Sequence, residues 1–318
     1  MTSSTAPGTP VASGTPAASG RSRIAERGLM PGPRPLRRLP EGVGSEPYTR
    51  FELVPYGDLI GAEIRGISLA EPVGPELFAE LDRALLEWKV LFFRDQPITP
   101  AQHCAFARLW GELEVHPFLG QGDVPEVVRF AKDAASVGVE NIWHTDVTWR
   151  QRPALGSVLR AIEVPERGGD TVWADMGAAY DALPADLRER VAGLTAVHDF
   201  TLAFGHGLDP EQLAARRREF PPVEHPVVRT HPVTGRRTLF VNGIFTDHIV
   251  GLPEAESEEL LGVLFRQAMT PEYQVRLRWA PDTVAFWDNR ATQHYAVNDY
   301  HPHVRVMERA AILGDRPY

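Results

Sequence analysis

The strongest limit on how this chain can fold is a succession of short, β-prone segments, most of them closed by Gly, Pro, Asp or Asn. FELVPY and AEIRGISL come first, followed by VLFFRDQ, GSVLRAIEVP, DTVWADM, PVVRTHP, RTLFVN, YQVRLRW, DTVAFWDN and VRVMERAAIL. In several of them apolar and polar residues alternate, the period of a strand buried on one face. Helical spacing interrupts that rhythm in PELFAELDRALLEWK, PAQHCAFARLWGEL, MGAAYDALPADLRERVAGL and PEAESEELLGVLFRQAM. A mostly β chain with flanking helices, grouped early and between strands, predicts a β-sandwich or jelly roll. Between Phe200 and Val223 the pattern weakens around a charged run, LAARRREF. That stretch is long for a bare connection and reads as a lid or a partly helical segment.

The ends differ from the middle. MTSSTAPGTPVASGTPAASG is almost entirely small and polar, and residues 21–45 are rich in Arg and Pro. Such a segment buries too little apolar surface to offset its ordering entropy. Residues 1–45 are therefore expected to be a disordered or loosely docked tail, with residues 46–318 forming a single domain.

Composition excludes several function classes. A formal net charge of −9 over 318 residues argues against a nucleic-acid surface, though it leaves room for a positive pocket. The single cysteine, Cys104, rules out an intrachain disulfide and suits a reducing cytoplasm. No apolar run approaches the roughly 20 residues that cross a bilayer. The N-terminus lacks the layout of a secretory signal. The expectation is a cytoplasmic protein with no nucleic-acid or membrane partner. No nucleophile elbow, phosphate loop, dinucleotide fingerprint or cysteine-rich zinc pattern is present.

WHTDVTW, residues 143–149, is the segment that carries chemistry. In an extended strand His144 and Asp146 point to one face. Two ionisable groups so placed require water, a cation or a metal between them. His294, in FWDNRATQHYAVNDY, supplies a second imidazole, and Arg305 follows eleven residues later in a β-prone segment. Two histidines and one carboxylate can fill one face of an octahedral Fe(II) and leave the other positions open. His225, His231, His301 and His303 have ordinary structural or surface explanations.

WHTDVTW, GGDTVWADM, HPVVRTHPVTG, WDNRATQHYAVNDY and RVMERAAILGDRP, taken in order, resemble the taurine dioxygenase branch of the iron- and 2-oxoglutarate-dependent dioxygenases. The likeness runs from about Phe51 to Tyr318. It implies a double-stranded β-helix (jelly-roll) core with helices outside. It also implies Fe(II) bound by His144, Asp146 and His294, with 2-oxoglutarate and O2 as co-substrates. Arg305 would pair with the distal carboxylate of 2-oxoglutarate, a task suited to a guanidinium, and Thr171 would hydrogen-bond the same molecule. Arg309 and His116 correspond to the residues that grip the substrate anion, and Phe204 and Phe245 to aromatic walls around it. The implied reaction hydroxylates a small anionic organic substrate, a sulfonate such as taurine, releasing sulfite and an aldehyde with succinate and CO2. Relatives also act on alkyl sulfates and carboxylates, and members of the family assemble as dimers or tetramers.

Three departures bear on the substrate. Leu119 stands where the taurine enzymes carry a tyrosine. The family's asparagine contact falls on Glu140 or shifts to Asn141. Glu308 replaces a common histidine. Two rival readings remain, a non-catalytic jelly-roll binding protein and a zinc hydrolase. Neither gives Thr171 and Arg305 a purpose.

Overall fold

The structure is a computed structural model that describes residues 36–40, 42–119, 124–136 and 141–318. Fifteen strands are formed among these residues. They are β1 (Glu52–Pro55), β2 (Ala62–Arg65), β3 (Val90–Phe93), β4 (Val127–Lys132), β5 (Ala154–Glu163), β6 (Thr171–Asp175), β7 (Thr195–His198) and β8 (Val223–Pro226). The remainder are β9 (Val228–Thr230), β10 (Arg237–Leu239), β11 (Thr246–Ile249), β12 (Gln274–Leu277), β13 (Val284–Asp288), β14 (Thr292–Ala296) and β15 (Arg305–Leu313).

The major sheet has seven strands in the order β1-β2-β3-β13-β5-β15-β4. Facing it are two three-stranded sheets, β12-β6-β14 and β11-β7-β8, with the pair β10-β9 beside them. Pairing is antiparallel except between β2 and β3. This is the expected jelly roll.

Period-two alternation explains how the central strands serve two cores at once. Val90 and Phe92 of β3, Ala285 and Trp287 of β13, and Met307 of β15 face inward between the sheets, against Trp173 of β6. Leu91 and Phe93, Val284 and Phe286, and Ala310 and Ile312 face outward beneath the helix Pro75–Trp88. The next helix, Pro100–Ala107, is shorter than its sequence suggests and runs into a 3-10 turn at Arg108–Trp110. Its Thr99–Gln102 capping box fixes where it starts.

The segment read as one helix from Met176 divides into Met176–Asp181 and Ala185–Val191, because Pro184 cannot continue the first. The stretch after Phe200 is partly helical, with helices Thr201–Phe204 and Pro210–Glu219. No helix among the described residues is long and apolar enough to cross a membrane. Residues 1–35, the larger part of the expected tail, lie outside the described residues. Further along it, Arg38 donates to Glu87 at 3.0 Å and stacks over Trp88 at 3.9 Å.

Candidate active site

His144 and Asp146 reach one point, though not along an extended strand. His144 forms an isolated antiparallel bridge with His294 of β14, exchanging backbone hydrogen bonds of 3.0 and 2.8 Å. The chain then turns at Asp146 and Val147, where Val147 has φ +48. His294 stands on a strand of its own, β14, whose partner β6 also carries Thr171.

The three side chains converge. Asp146 Oδ1 lies 3.7 Å from His144 Nε2 and 3.9 Å from His294 Nε2. One donor atom from each residue falls within 4.8 Å of the others, so the set could hold a metal ion. His144 Nδ1 is 2.8 Å from the Ile142 carbonyl, which places the proton there and leaves a lone pair on Nε2. Burial, reinforced by neighbouring His144, pushes His294 down to about 3, so its imidazole is neutral. Burial alone would raise the Asp146 carboxyl. The Arg309 guanidinium, helped by the hydrogen bond from Ser157, outweighs that and holds it below the usual carboxylate range. Two neutral imidazoles and one carboxylate are the donor set that Fe(II) takes in oxygenases.

A cavity of about 100 Å³ opens beside the triad, lined by His144, His294, Thr171, Tyr300, Arg305 and Lys132 among others. Trp279 Nε1 donates to Thr171 Oγ1 at 3.0 Å, so the Thr171 hydroxyl keeps its own proton for a ligand. Arg305 is buried, with Nε on the Gly169 carbonyl at 3.1 Å. Lys132, opposite Arg305 on β4, was not singled out from sequence. The alternation in VVRFAK, which turns Phe130 and Lys132 to one face, is the signal that would have found it.

A second cavity, of about 750 Å³, lies on the other side of the triad. His116, Phe204, Phe245 and Arg309 all line it, together with Leu119. Arg309 Nη1 donates to Asp146 Oδ1 at 2.6 Å, while Ser157 donates to Oδ2 at 2.9 Å. His116 Nδ1 accepts from the backbone N–H groups of Phe118 and Leu119, both at 3.2 Å. Its proton therefore sits on Nε2. Burial first, then Arg309 and Arg150, push this imidazole down to about 3. His116 is a neutral donor. Arg305 and Arg309 share a face of β15, and Glu308 on the opposite face accepts from Arg129 at 2.8 Å. Glu140 lies outside the described residues, and Asn141 is exposed.

A jelly roll with two imidazoles and a carboxylate between its sheets, and buried arginines on both sides, defines a mononuclear non-haem iron oxygenase. The profile of the taurine catabolism dioxygenase TauD, TfdA family matches residues 49–311. The chain belongs to that family and is a 2-oxoglutarate-dependent dioxygenase using Fe(II), 2-oxoglutarate and O2. It is 39% identical over 275 residues to an alpha-ketoglutarate-dependent sulfate ester dioxygenase of Pseudomonas putida, covering 84% of this chain and 91% of that one. An alkylsulfatase of Acinetobacter baylyi is 37% identical over 277 residues, 85% of this chain and 87% of the other. The crystal structure of a taurine dioxygenase from Burkholderia xenovorans superposes with a TM-score of 0.73 at 39% identity, covering 85% of this chain and 91% of that one.

Proposed function

We propose that this enzyme oxidises organic sulfate esters bearing an apolar alkyl group. His144, Asp146 and His294 hold Fe(II), Thr171 and Arg305 hold 2-oxoglutarate, and His116 and Arg309 hold the sulfate. The observation that carries this is the shape and lining of the larger cavity. Two donors, His116 and Arg309, sit at its buried end beside Asp146, and Leu119, Phe130, Val147, Phe204, Ile244 and Phe245 wall the rest. A volume of about 750 Å³ is far more than a two-carbon amino sulfonate fills. Leu119 also removes a polar group from the wall where taurine enzymes carry a tyrosine.

Charge agrees with this reading. Fe(II) with buried Asp146, Arg305 and Arg309 leaves three positive charges. Dianionic 2-oxoglutarate and a monoanionic sulfate ester neutralise them, as a desolvated site requires. Bound iron supplies the activation of O2 coupled to decarboxylation of 2-oxoglutarate. The chain's own part is positional. His116 Nε2–H and the Arg309 fork fix the ester so that the carbon bearing oxygen faces the triad, and the apolar walls exclude water. Hydroxylation at that carbon gives a sulfated hemiacetal, which collapses to an aldehyde and sulfate. A single cysteine supports a reducing, cytoplasmic setting for this work.

The test supplies Fe(II), 2-oxoglutarate and O2 with hexyl sulfate or with taurine, and measures succinate, sulfate, sulfite and aldehyde. Succinate matched by sulfate and hexanal is the expected result. Efficient sulfite release from taurine with no turnover of hexyl sulfate would reject the ester and restore the sulfonate reading.

A further inference from the structure

We propose that Asn289 is a positioning residue for the metal site: its side-chain amide acts as a surrogate strand partner that holds Asp146 in ligating position against the left-handed turn at Val147. This rests on the assignment of His144, Asp146 and His294 as metal ligands.

The segment 144–146 is tied to 289–294 at every residue. His144 pairs with His294 through two backbone hydrogen bonds, and Thr145 Oγ1 donates to the Thr292 carbonyl at 3.0 Å. At Asp146 the backbone ladder has ended, and a side chain takes its place. Asp146 N–H donates to Asn289 Oδ1 at 2.9 Å, and Asn289 Nδ2 returns a hydrogen bond to the Asp146 carbonyl at 3.1 Å. A carboxamide presents one C=O and one N–H side by side, as the N–H and C=O of one strand residue lie on one edge, so it can close that pair of bonds. The second Nδ2 proton goes to the Ala154 carbonyl at 3.1 Å, at the start of β5. Both amide protons and one carbonyl lone pair of this fully buried side chain are thus spent on backbone, two of the three bonds on one metal ligand.

What the clamp works against is local. Val147 follows Asp146 at φ +48, a conformation a β-branched residue resists. Glycine adopts it freely. Asn289 itself is well anchored. Asp288 beside it accepts from Arg290 N, Nε and Nη2 and lies 3.0 Å from His231 Nε2, while Asn289 N–H donates to the Leu155 carbonyl at 2.9 Å. One rigid turn therefore presents His294 five residues later and fixes the backbone of Asp146. Without the clamp, the turn is free to relax at Val147 and swing the carboxylate away from the imidazoles.

The test measures Co(II) affinity and the Co(II) visible spectrum of the metal-free full chain, with thermal unfolding of the same samples. Wild type should bind and Asp146→Ala should not. If Asp146→Ala binds like wild type, the ligand assignment itself is wrong. Asn289→Ala should weaken Co(II) binding by about 10- to 100-fold, the usual loss when a residue orienting a ligand is removed. Val147→Gly alone should bind like wild type. Asn289→Ala with Val147→Gly should regain most of the lost affinity while melting lower than either single variant, because glycine removes both the strain and a buried side chain. A merely structural role predicts that affinity and melting temperature fall together in the double variant. Wild-type affinity in Asn289→Ala would overturn the proposal, as would an equal loss in the single and double variants with the fold intact. Should Asn289→Ala fail to fold, Asn289→Asp keeps the volume and turns carboxylate oxygen toward two carbonyls. It should lose affinity likewise, and unchanged affinity there would also overturn the proposal.

Discussion

Thr171 and Arg309 give the two cavities separate readouts. The Thr171 hydroxyl is buried, takes one hydrogen bond from Trp279 and has its own proton directed to the smaller cavity. Thr171→Val keeps the shape and removes the donor, so the KM for 2-oxoglutarate should rise about tenfold, the worth of one buried hydrogen bond. The KM for the sulfate ester should not move, and a change in that constant instead would exchange the roles of the two cavities. Arg309→Ala should raise the ester KM by at least about 30-fold, because truncation leaves the buried anion unpaired, and should lower kcat as well because Arg309 also donates to Asp146. Unchanged ester kinetics would remove Arg309 from the substrate site. Thr171 was legible only through the resemblance to a known family; Arg309 was legible through that resemblance and as a second cation sharing a strand face with Arg305, which is costly without a partner. Asn289 and Ser157 were not legible. An uncharged side chain that hydrogen-bonds backbone or a carboxylate looks like any turn or core residue until its partners are placed.

Apart from Phe130 on β4, the apolar walls of the larger cavity come from loops and a short helix, and there the sequence said less. Phe204 lies on Thr201–Phe204 and stacks on Phe118 with ring centres 5.1 Å apart, while Phe245 comes from the turn before β11. The strands β7, β11 and β14 are short and lack a strong alternating signal, so only their pairing partners define them. Where the cavity meets solvent, Gly243 faces Ile142, which is half exposed, and Leu202 is exposed nearby. Among the described residues, a Cβ built on Gly243 would meet only Ile142 Cγ2, at 3.5 Å, and the glycine has no left-handed φ to forbid a side chain. Gly243→Leu should therefore fold normally and narrow the mouth. For a long tail such as decyl sulfate, kcat/KM should fall about tenfold, the scale on which apolar pockets discriminate size. Butyl sulfate, ending inside, should lose less than about twofold by the same argument. Equal losses for both esters would mean that the tail leaves the cavity elsewhere.

Burying this much polar chemistry between two sheets has a consequence for stability that separates cleanly from the metal. His103 and His225 are pushed down to about 4 and His116 to about 3, in each case chiefly by burial, and His198 is held well below its ordinary value for the same reason. His103 Nε2 reaches the Val158 carbonyl at 2.9 Å and His225 Nε2 the Arg150 carbonyl at 2.9 Å, contacts a neutral imidazole makes by donating. In the unfolded chain all four regain a value near 6.5. Between that pH and the folded values the unfolded state binds protons that the native state does not. Stability is therefore complete above about pH 6.5 and declines as pH falls, each histidine contributing up to about 1.4 kcal/mol per pH unit. Asp146 and Asp288, each held low by a neighbouring arginine, add their own loss only below about pH 4, the unfolded carboxylate range. Urea denaturation of the metal-free protein at pH 7.5, 6.5, 5.5 and 4.5 reads the histidine window apart from the aspartate one. The unfolding free energy should fall slightly across the first pair and much more steeply across the second. A flat profile down to pH 4.5 would mean that these imidazoles are solvated in the folded state, and the packing between the sheets would have to be looser than their burial implies.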